Sequence, residues 1–284
     1  MREILCSGQA RSLEFPYPGG MAALCWSPAG ERGELTVSLH YDGAYGMGEK
    51  YNAVNQKGHT AVNVVEEKFC FQGEKTYCPA PFFWTNTGFG LYAATDERTS
   101  FRFGEKAVCA ELPVDCRVVL FSGMPGEIIR DYMDLFGPAK LPPKWAFGPW
   151  ISANHWDSQE KVERAVAQAE EHGFPVCALV AEAWSDEATF YVFRGARYVP
   201  KPNGGAFRLE DFDFSDSPWP DPAGMVQRLH EKGIRFLLWQ IPVYKKQGPD
   251  EPLNAQNELD QADAVARGLC VHNADGSPYT IPAP

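Results

Sequence analysis

The 284-residue sequence has no run approaching the roughly 18 uninterrupted apolar residues that a membrane-spanning helix needs, so no membrane partner is expected. Its opening residues, Met1-Arg2-Glu3-Ile4-Leu5-Cys6, lack the apolar centre of a secretory leader. Basic residues are the minority charge, 26 Lys and Arg against 37 Asp and Glu, for a formal net charge of -11. A nucleic-acid partner is therefore disfavoured, because neutralising phosphates requires a basic footprint. The eight cysteines are scattered without a Cys-x-x-Cys pair, and the six histidines contain no His-Glu-x-x-His. No metal site and no organic cofactor is expected, and reduced structural thiols suit a cytoplasmic protein. Internal repeats and low-complexity tracts are also absent.

Hydrophobic residues make up 44% of the chain and charged residues 22%, the balance of a globular protein large enough for a substantial core. Aromatic residues reach 13%, with eight Trp. Flat faces of this kind stack on sugar rings, although large cores use Trp as well.

Up to about residue 123, short runs with alternating or aromatic-rich character are broken by Gly, Pro and Asn: residues 35–41, 68–71, 89–94, 100–103 and 118–122. Closely spaced strands with such punctuation predict an N-terminal antiparallel β-sandwich. Residues 124–136 form an apolar stripe through Ile128, Ile129, Tyr132, Met133 and Phe136 behind Pro125, which predicts a helix ended by Gly137-Pro138. This helix and a linker occupy residues 124–142.

From residue 143 to 284 the rhythm changes to strand, helix, strand, helix. Strands are expected at residues 145–152, 176–181 and 234–240. Helices are expected from an Asp157 or Ser158 cap to His172, from Asp221-Pro222 to Lys232-Gly233, and over residues 257–267. Apolar strands separated by amphipathic helices mean a parallel sheet with crossovers. The 142 residues available are too few for a (β/α)8 barrel of about 250. The fold class is thus α+β and multidomain: a sandwich, then the first part of a TIM barrel, cut after about three βα units.

In βα folds the polar and aromatic residues just past each strand's C-terminal end line the site. Three such clusters are legible: Ser152-Ala153-Asn154-His155-Trp156-Asp157, Glu182-Ala183-Trp184-Ser185-Asp186-Glu187, and Trp239-Gln240-Ile241-Pro242-Val243-Tyr244. Each supplies a Trp, and the second brings three carboxylates. A sugar pocket combines apolar faces with carboxylates and amides that satisfy hydroxyls.

Five motifs, in this order, resemble glycoside hydrolase family 31. Tyr45-Gly46-Met47-Gly48-Glu49-Lys50 is similar to a signature of that family's N-terminal sandwich. Leu141-Pro142-Pro143-Lys144-Trp145-Ala146-Phe147-Gly148-Pro149-Trp150 is similar to the approach to its barrel. Trp219-Pro220-Asp221-Pro222-Ala223-Gly224-Met225 resembles its Phe-Pro-Asp-Pro-x-x-Met segment, Leu238-Trp239-Gln240-Ile241-Pro242 its third strand, and Asp275-Gly276-Ser277 part of the connection that follows. The resemblance implies a retaining exo-α-glycosidase acting on α-linked glucosides, xylosides or galactosides through a covalent glycosyl-enzyme. It also implies that the nucleophile and the acid/base are aspartates on later barrel strands, at positions this sequence does not contain, so none of its own acids is assigned a catalytic role. What the resemblance places here is a substrate-binding wall for an oligosaccharide or glycoside: His155 and Trp156 after the first strand, Trp239 after the third.

The second cluster departs from the family's usual Asp before an aromatic, since Ala181, Glu182 and Ala183 precede Trp184. Either Glu182 takes that role or Asp186 or Glu187 does. Each candidate also has a structural reading. Glu182 can form a solvated ion pair, Asp186 and Glu187 can start a turn, Trp184 and Trp239 can pack in the core, and His155 can be an ordinary structural histidine. Glu49 and Lys50 read as sandwich architecture, and Asp221 as a helix cap.

A non-catalytic sugar-binding or scaffolding protein is the rival from another class. An α-galactosidase-type barrel is a third reading, against which the Gly-x-Gly-Glu-Lys motif argues. On the main reading the chain by itself is catalytically silent. Purified and free of contaminants, it should release no aglycone from aryl α-glycosides, and turnover in that assay refutes the expectation.

Overall fold

The computed structural model describes residues 1–66, 72–73, 75–186, 189–201, 204–245, 248 and 254–281. The chain divides into two compact units, Met1–Lys140 and Leu141–Pro284.

The first unit contains strands β1 (Arg2–Cys6), β2 (Arg11–Tyr17), β3 (Gly20–Ala29), β4 (Arg32–Ser38), β5 (Ala44–Gly48), β6 (Thr60–Asn63), β7 (Pro79–Thr85), β8 (Phe89–Ala94), β9 (Thr99–Phe103), β10 (Ala107–Pro113) and β11 (Cys116–Ser122). They form a five-stranded sheet, β1-β11-β8-β7-β5, and a six-stranded sheet, β2-β3-β4-β10-β9-β6, with antiparallel pairing in both. Period-two alternation points one side of each strand inward: Ala22, Leu24 and Trp26 of β3 are buried while Ala23 and Cys25 face out. Phe83, Phe89, Leu91 and Leu120 of one sheet share a single core with Trp26, Leu35, Phe101 and Phe103 of the other.

Four of the expected strands correspond to β4, β8, β9 and β11, and the fifth, at residues 68–71, lies outside the described residues. The aromatic residues Phe82, Phe83 and Trp84, whose pattern matches a strand of the sandwich, lie on β7, with Phe82 and Phe83 buried. The outer face of β7 carries Phe82, which stacks on Tyr132 with ring centroids 3.8 Å apart.

The glycines of Tyr45-Gly46-Met47-Gly48 are required by a bulge. Gly46, Met47 and Gly48 have φ of 115°, 69° and 76°, and the β5–β7 register shifts between Gly46 and Gly48. A Cβ on Gly46 would lie 2.5 Å from the Phe82 carbonyl oxygen, and one on Gly48 2.1 Å from that of Cys78. The extra residue, Met47, is fully buried although left-handed backbone disfavours a side chain there. Beyond the bulge, Lys50 Nζ donates to the Val62 carbonyl of β6 at 2.7 Å, and burial lowers the Lys50 pKa from its ordinary value.

Helix α1 (Pro125–Asp134) has Pro in its first turn, and Glu127 accepts from the Met124 N–H at 2.8 Å. Ile128 packs on Phe82, Val119 and Phe121, so the helix covers the outer side of the five-stranded sheet. It falls within the first compact unit, Met1–Lys140.

In the second unit, β12 (Trp150–Ala153), β13 (Ala178–Ala181) and β14 (Arg235–Leu238) form a parallel sheet in that order. Helices α2 (Gln159–Glu171), α3 (Pro222–Glu231) and α4 (Asn254–Ala266) alternate with them. The first strand is shorter than expected. Lys144–Phe147 forms a 3-10 turn, and Pro149, which has no N–H to donate, precedes the point where pairing starts. Ser158 caps α2 by accepting from the Lys161 N–H, and Asp221 caps α3 by accepting from the Gly224 N–H. Ile151, Leu179, Ala181, Phe236 and Leu238 pack against Val162 and Val166 of α2 and Met225 and Leu229 of α3. The alternate residues of the strands, Trp150, Ser152, Val180 and Leu237, point to the opposite face, which α2 and α3 do not cover.

Replacing Gly48 with Ala should destabilise the first unit by about 1–3 kcal/mol, from left-handed strain and the clash at Cys78. Urea unfolding of the two proteins checks this, and equal midpoints would show that the bulge tolerates a side chain.

Candidate functional site

The parallel register sets Ala153, Ala181 and Leu238 abreast. The next residue of each strand, Asn154, Glu182 and Trp239, therefore leaves the same edge of the sheet. The Trp239 N–H donates to the Ala181 carbonyl at 2.9 Å, carrying the ladder one step beyond β14. The Ser152 hydroxyl donates to Glu182 Oε1, which holds that carboxylate on the side of the sheet that Ser152 occupies. Trp239 is 49% exposed. A fixed carboxylate and a half-exposed indole at one strand edge are the groups that a sugar's hydroxyls and apolar face require.

Trp184, expected to line the pocket, is instead a core residue. It is 2% exposed and packed with Trp219, Leu179 and Met225. Its ring meets Phe193 edge-on at 5.0 Å, and its Nε1–H donates to the Trp239 carbonyl at 2.6 Å. A buried indole needs such a partner, and no face of this one is left for a ligand. Through that bond it holds the backbone of Trp239.

In the loop after β12, His155 is exposed and lies edge-on to Trp156 at 6.2 Å. Trp156 is half-buried against the core of the unit. In the sequence Asp157 offers only a possible helix cap. It pairs with Lys161 at 2.7 Å and with Arg194 at 2.9 Å, joining this loop to the one after β13. Hydrogen bonds from Lys161, foremost, and from Arg194 hold its carboxyl below the usual aspartate range. Only the Lys161 half of this pairing, four residues along the chain, has a signature in the sequence.

Asp186 is a turn-builder. Its Oδ1 accepts from the Thr189 N–H at 2.7 Å and from the Thr189 hydroxyl at 2.9 Å, while its own N–H donates to the Val192 carbonyl at 2.9 Å. Phe190 in that turn has a φ of 60°. Glu187, the other acid weighed for this role, lies outside the described residues. Glu182 is thus the carboxylate of this cluster that the geometry joins to the strand edge.

Asp260 on α4 carries no distinguishing signal in the sequence. It is 5% exposed and accepts from Tyr191 Oη at 2.5 Å, from the Phe207 N–H at 2.8 Å and from Gln256 Nε2 at 3.0 Å. Burial first, and the bond to Asp260 second, push the Tyr191 phenol far above its usual range. Among the described residues, no group of three or more His, Cys, Asp or Glu is placed to hold a metal ion, and no helix is long and apolar enough to cross a membrane.

The family described as "Glycosyl hydrolases family 31 TIM-barrel domain" matches residues 139–283. The chain belongs to glycosyl hydrolase family 31. It is 32% identical over 250 residues to the isomaltosyltransferase of Sporosarcina globispora, covering 84% of this chain and 23% of that protein. It is 34% identical over 272 residues to the 1,3-alpha-isomaltosidase of Kribbella flavida, covering 92% of this chain and 37% of that protein. Among solved structures, the cycloalternan-degrading enzyme from Trueperella pyogenes in complex with isomaltose superposes with a TM-score of 0.76 at 34% identity, over 90% of this chain and 39% of that one. The same enzyme in complex with a covalent intermediate superposes with a TM-score of 0.76 at 34% identity, over 90% of this chain and 37% of that one. The chain spans well under half the length of each of these relatives.

Because the folded Asp157 has a lowered pKa, its pairs stabilise the unit fully above the ordinary aspartate value of about 3.9, and that contribution is lost as pH falls through the lowered value. Asp157→Asn should therefore cost about 0.5–1 kcal/mol near neutral pH, and progressively less as pH falls below the ordinary aspartate value. Urea unfolding over a series of pH values from neutral into the acid range measures the trend, and a cost that does not change with pH would refute the ion-pair origin.

Proposed function

We propose that this chain supplies the leading β-sandwich and the first three βα units of a (β/α)8 barrel in a retaining family 31 α-glycosidase that acts on α-linked glucosides. The observation that carries the reading is the strand edge itself: Glu182, oriented by Ser152, stands level with half-exposed Trp239 just past aligned β-strands. The C-terminal ends of barrel strands are where such enzymes hold substrate. Trp239 would take the apolar face of a glucosyl ring, Glu182 would accept from its hydroxyls, and His155 and Asn154 would close the side after β12.

The chemistry would be a double displacement. A carboxylate attacks the anomeric carbon as an acid protonates the departing glycosidic oxygen, and water or another sugar then attacks the covalent glycosyl-enzyme. By the family resemblance both carboxylates are aspartates of later strands, and neither Glu182 nor Asp186 is assigned to that work. The covalent intermediate of the Trueperella pyogenes enzyme supports the retaining course. Two of the curated relatives, at 32% and 34% identity, act by their names on isomaltosyl units, which favours an isomaltosyl-type glucoside over a xyloside or galactoside.

The test is the anomer first released by the full-length gene product from an isomaltosyl-containing oligosaccharide, followed by proton NMR. The α-anomer is expected, and the β-anomer appearing first would overturn the retaining assignment. In the same protein Glu182→Gln should raise KM about tenfold, the loss of one hydrogen bond to a charged group, with kcat little changed. An unaltered KM would remove Glu182 from the substrate wall.

A further inference from the structure

Between β13 and α3 the chain makes a long excursion whose described residues are tightly anchored. The backbones of Arg197 and Asp213 exchange N–H to carbonyl bonds at 2.8 and 2.9 Å, forming a short antiparallel bridge. Tyr198, Phe207 and Phe212 pack on one another with centroids 5.1 to 5.6 Å apart. Helix α4 holds the excursion from below with two buried polar side chains. Gln256 accepts from the Lys201 N–H at 2.5 Å and donates to the Gly205 carbonyl at 3.1 Å, and Asp260 accepts from the Phe207 N–H. Burying an amide and a carboxylate is costly unless both are fully bonded, and long loops held this way are commonly functional.

This anchored excursion presents a shallow groove, open to solvent and lined by Arg197, Tyr198, Val199, Lys201, Asp211 and Asp213. Its charged groups are paired. Arg197 reaches Asp213 at 2.5 Å and Asp216 at 2.8 Å, and Lys201 Nζ lies 2.9 Å from both Asp211 oxygens. The lining therefore carries two cations against two anions and has no excess charge with which to retain a phosphate or a metal ion. What it offers is donors and acceptors at fixed positions, beside Val199, which is 77% exposed. Hydrogen bonds from Ser215, ahead of those from Arg197, lower the Asp213 pKa to about 2, so the carboxylate stays an acceptor at neutral pH. Neutral rings bearing vicinal hydroxyls on one edge and an apolar face on the other match this lining.

We infer that the groove between residues 197–201 and 211–213 binds a glucosyl unit of an α-linked oligosaccharide, with Arg197 and Asp213 holding vicinal hydroxyls and Tyr198 and Val199 contacting the ring face. The ligand class rests on the sugar-directed reading above, but the groove shares no side chain with Ser152, Glu182 or Trp239.

The test is titration of the 15N-labelled chain with isomaltotriose, followed by amide shifts. Millimolar binding is expected, with shifts centred on Arg197, Val199 and Asp213. Arg197→Ala should weaken it about tenfold, as the loss of a charge-assisted hydrogen bond would. Because that variant can also loosen the excursion, Val199→Glu provides a second measure: its exposed side chain should abolish the groove shifts and leave other amides in place. Trp239→Ala should leave the groove shifts intact. Groove shifts that persist when the strand edge shows none would support the groove and count against the strand-edge site. The proposal is overturned if the groove amides do not move at tens of millimolar sugar, if Val199→Glu leaves binding unchanged, or if Trp239→Ala alone removes every shift.

Discussion

The backbone ladder of β12, β13 and β14 is the constraint on which the candidate site depends. Parallel pairing in register means that every strand ends at the same height, so residues separated by tens of positions in sequence leave the sheet side by side. Packing on α2 and α3 fixes which side of each strand faces the helices, since a one-residue slip would exchange the two faces. Ser152 then needs only to donate one hydrogen bond to Glu182 for a carboxylate to be held at the edge. Everything beyond the edge is supported from outside the sheet: Asp157 by Lys161 and Arg194, and the excursion after β13 by Gln256 and Asp260 of α4.

The first unit meets a different constraint. Two antiparallel sheets close over one aromatic core, and the edge strand β5 must leave the ladder without exposing a long unpaired stretch. The bulge at Met47 does this by using two glycines where a side chain would collide with backbone oxygens. A motif noticed in the sequence for its resemblance thus has a local mechanical explanation, and Lys50 ties it to β6.

Much of this architecture is legible from local patterning. Strands with strong alternation, the α1 stripe and the Ser158 and Asp221 caps all depend on neighbours within a few residues. The sheet partners of the earliest strands and the extent of β7 do not, because Pro16, Pro28, Pro79 and Pro81 interrupt the pattern while tertiary pairing holds the backbone extended. The candidate site divides in the same way. Its strand-end position follows from topology, so Glu182 and Trp239 could be named in advance. Asp260 could not: in periodicity it resembles its exposed neighbour Arg267 or the half-exposed Asp263, and only the long-range approach of Tyr191 and Phe207 distinguishes it. Trp184 shows the converse, since an aromatic residue beside an acid past a strand looks the same whether it meets solvent or core.

The bond from the Trp184 indole to the Trp239 carbonyl has a practical consequence for anyone mapping this protein by substitution. Removing a buried indole leaves a cavity and takes away the donor to the carbonyl of half-exposed Trp239. On the proposed reading the damage would register as weakened ligand capture although the altered side chain is buried. A screen scored on uptake alone would rank Trp184 with residues that touch a ligand, and only a parallel measurement of folding would show that its effect passes through the backbone of Trp239.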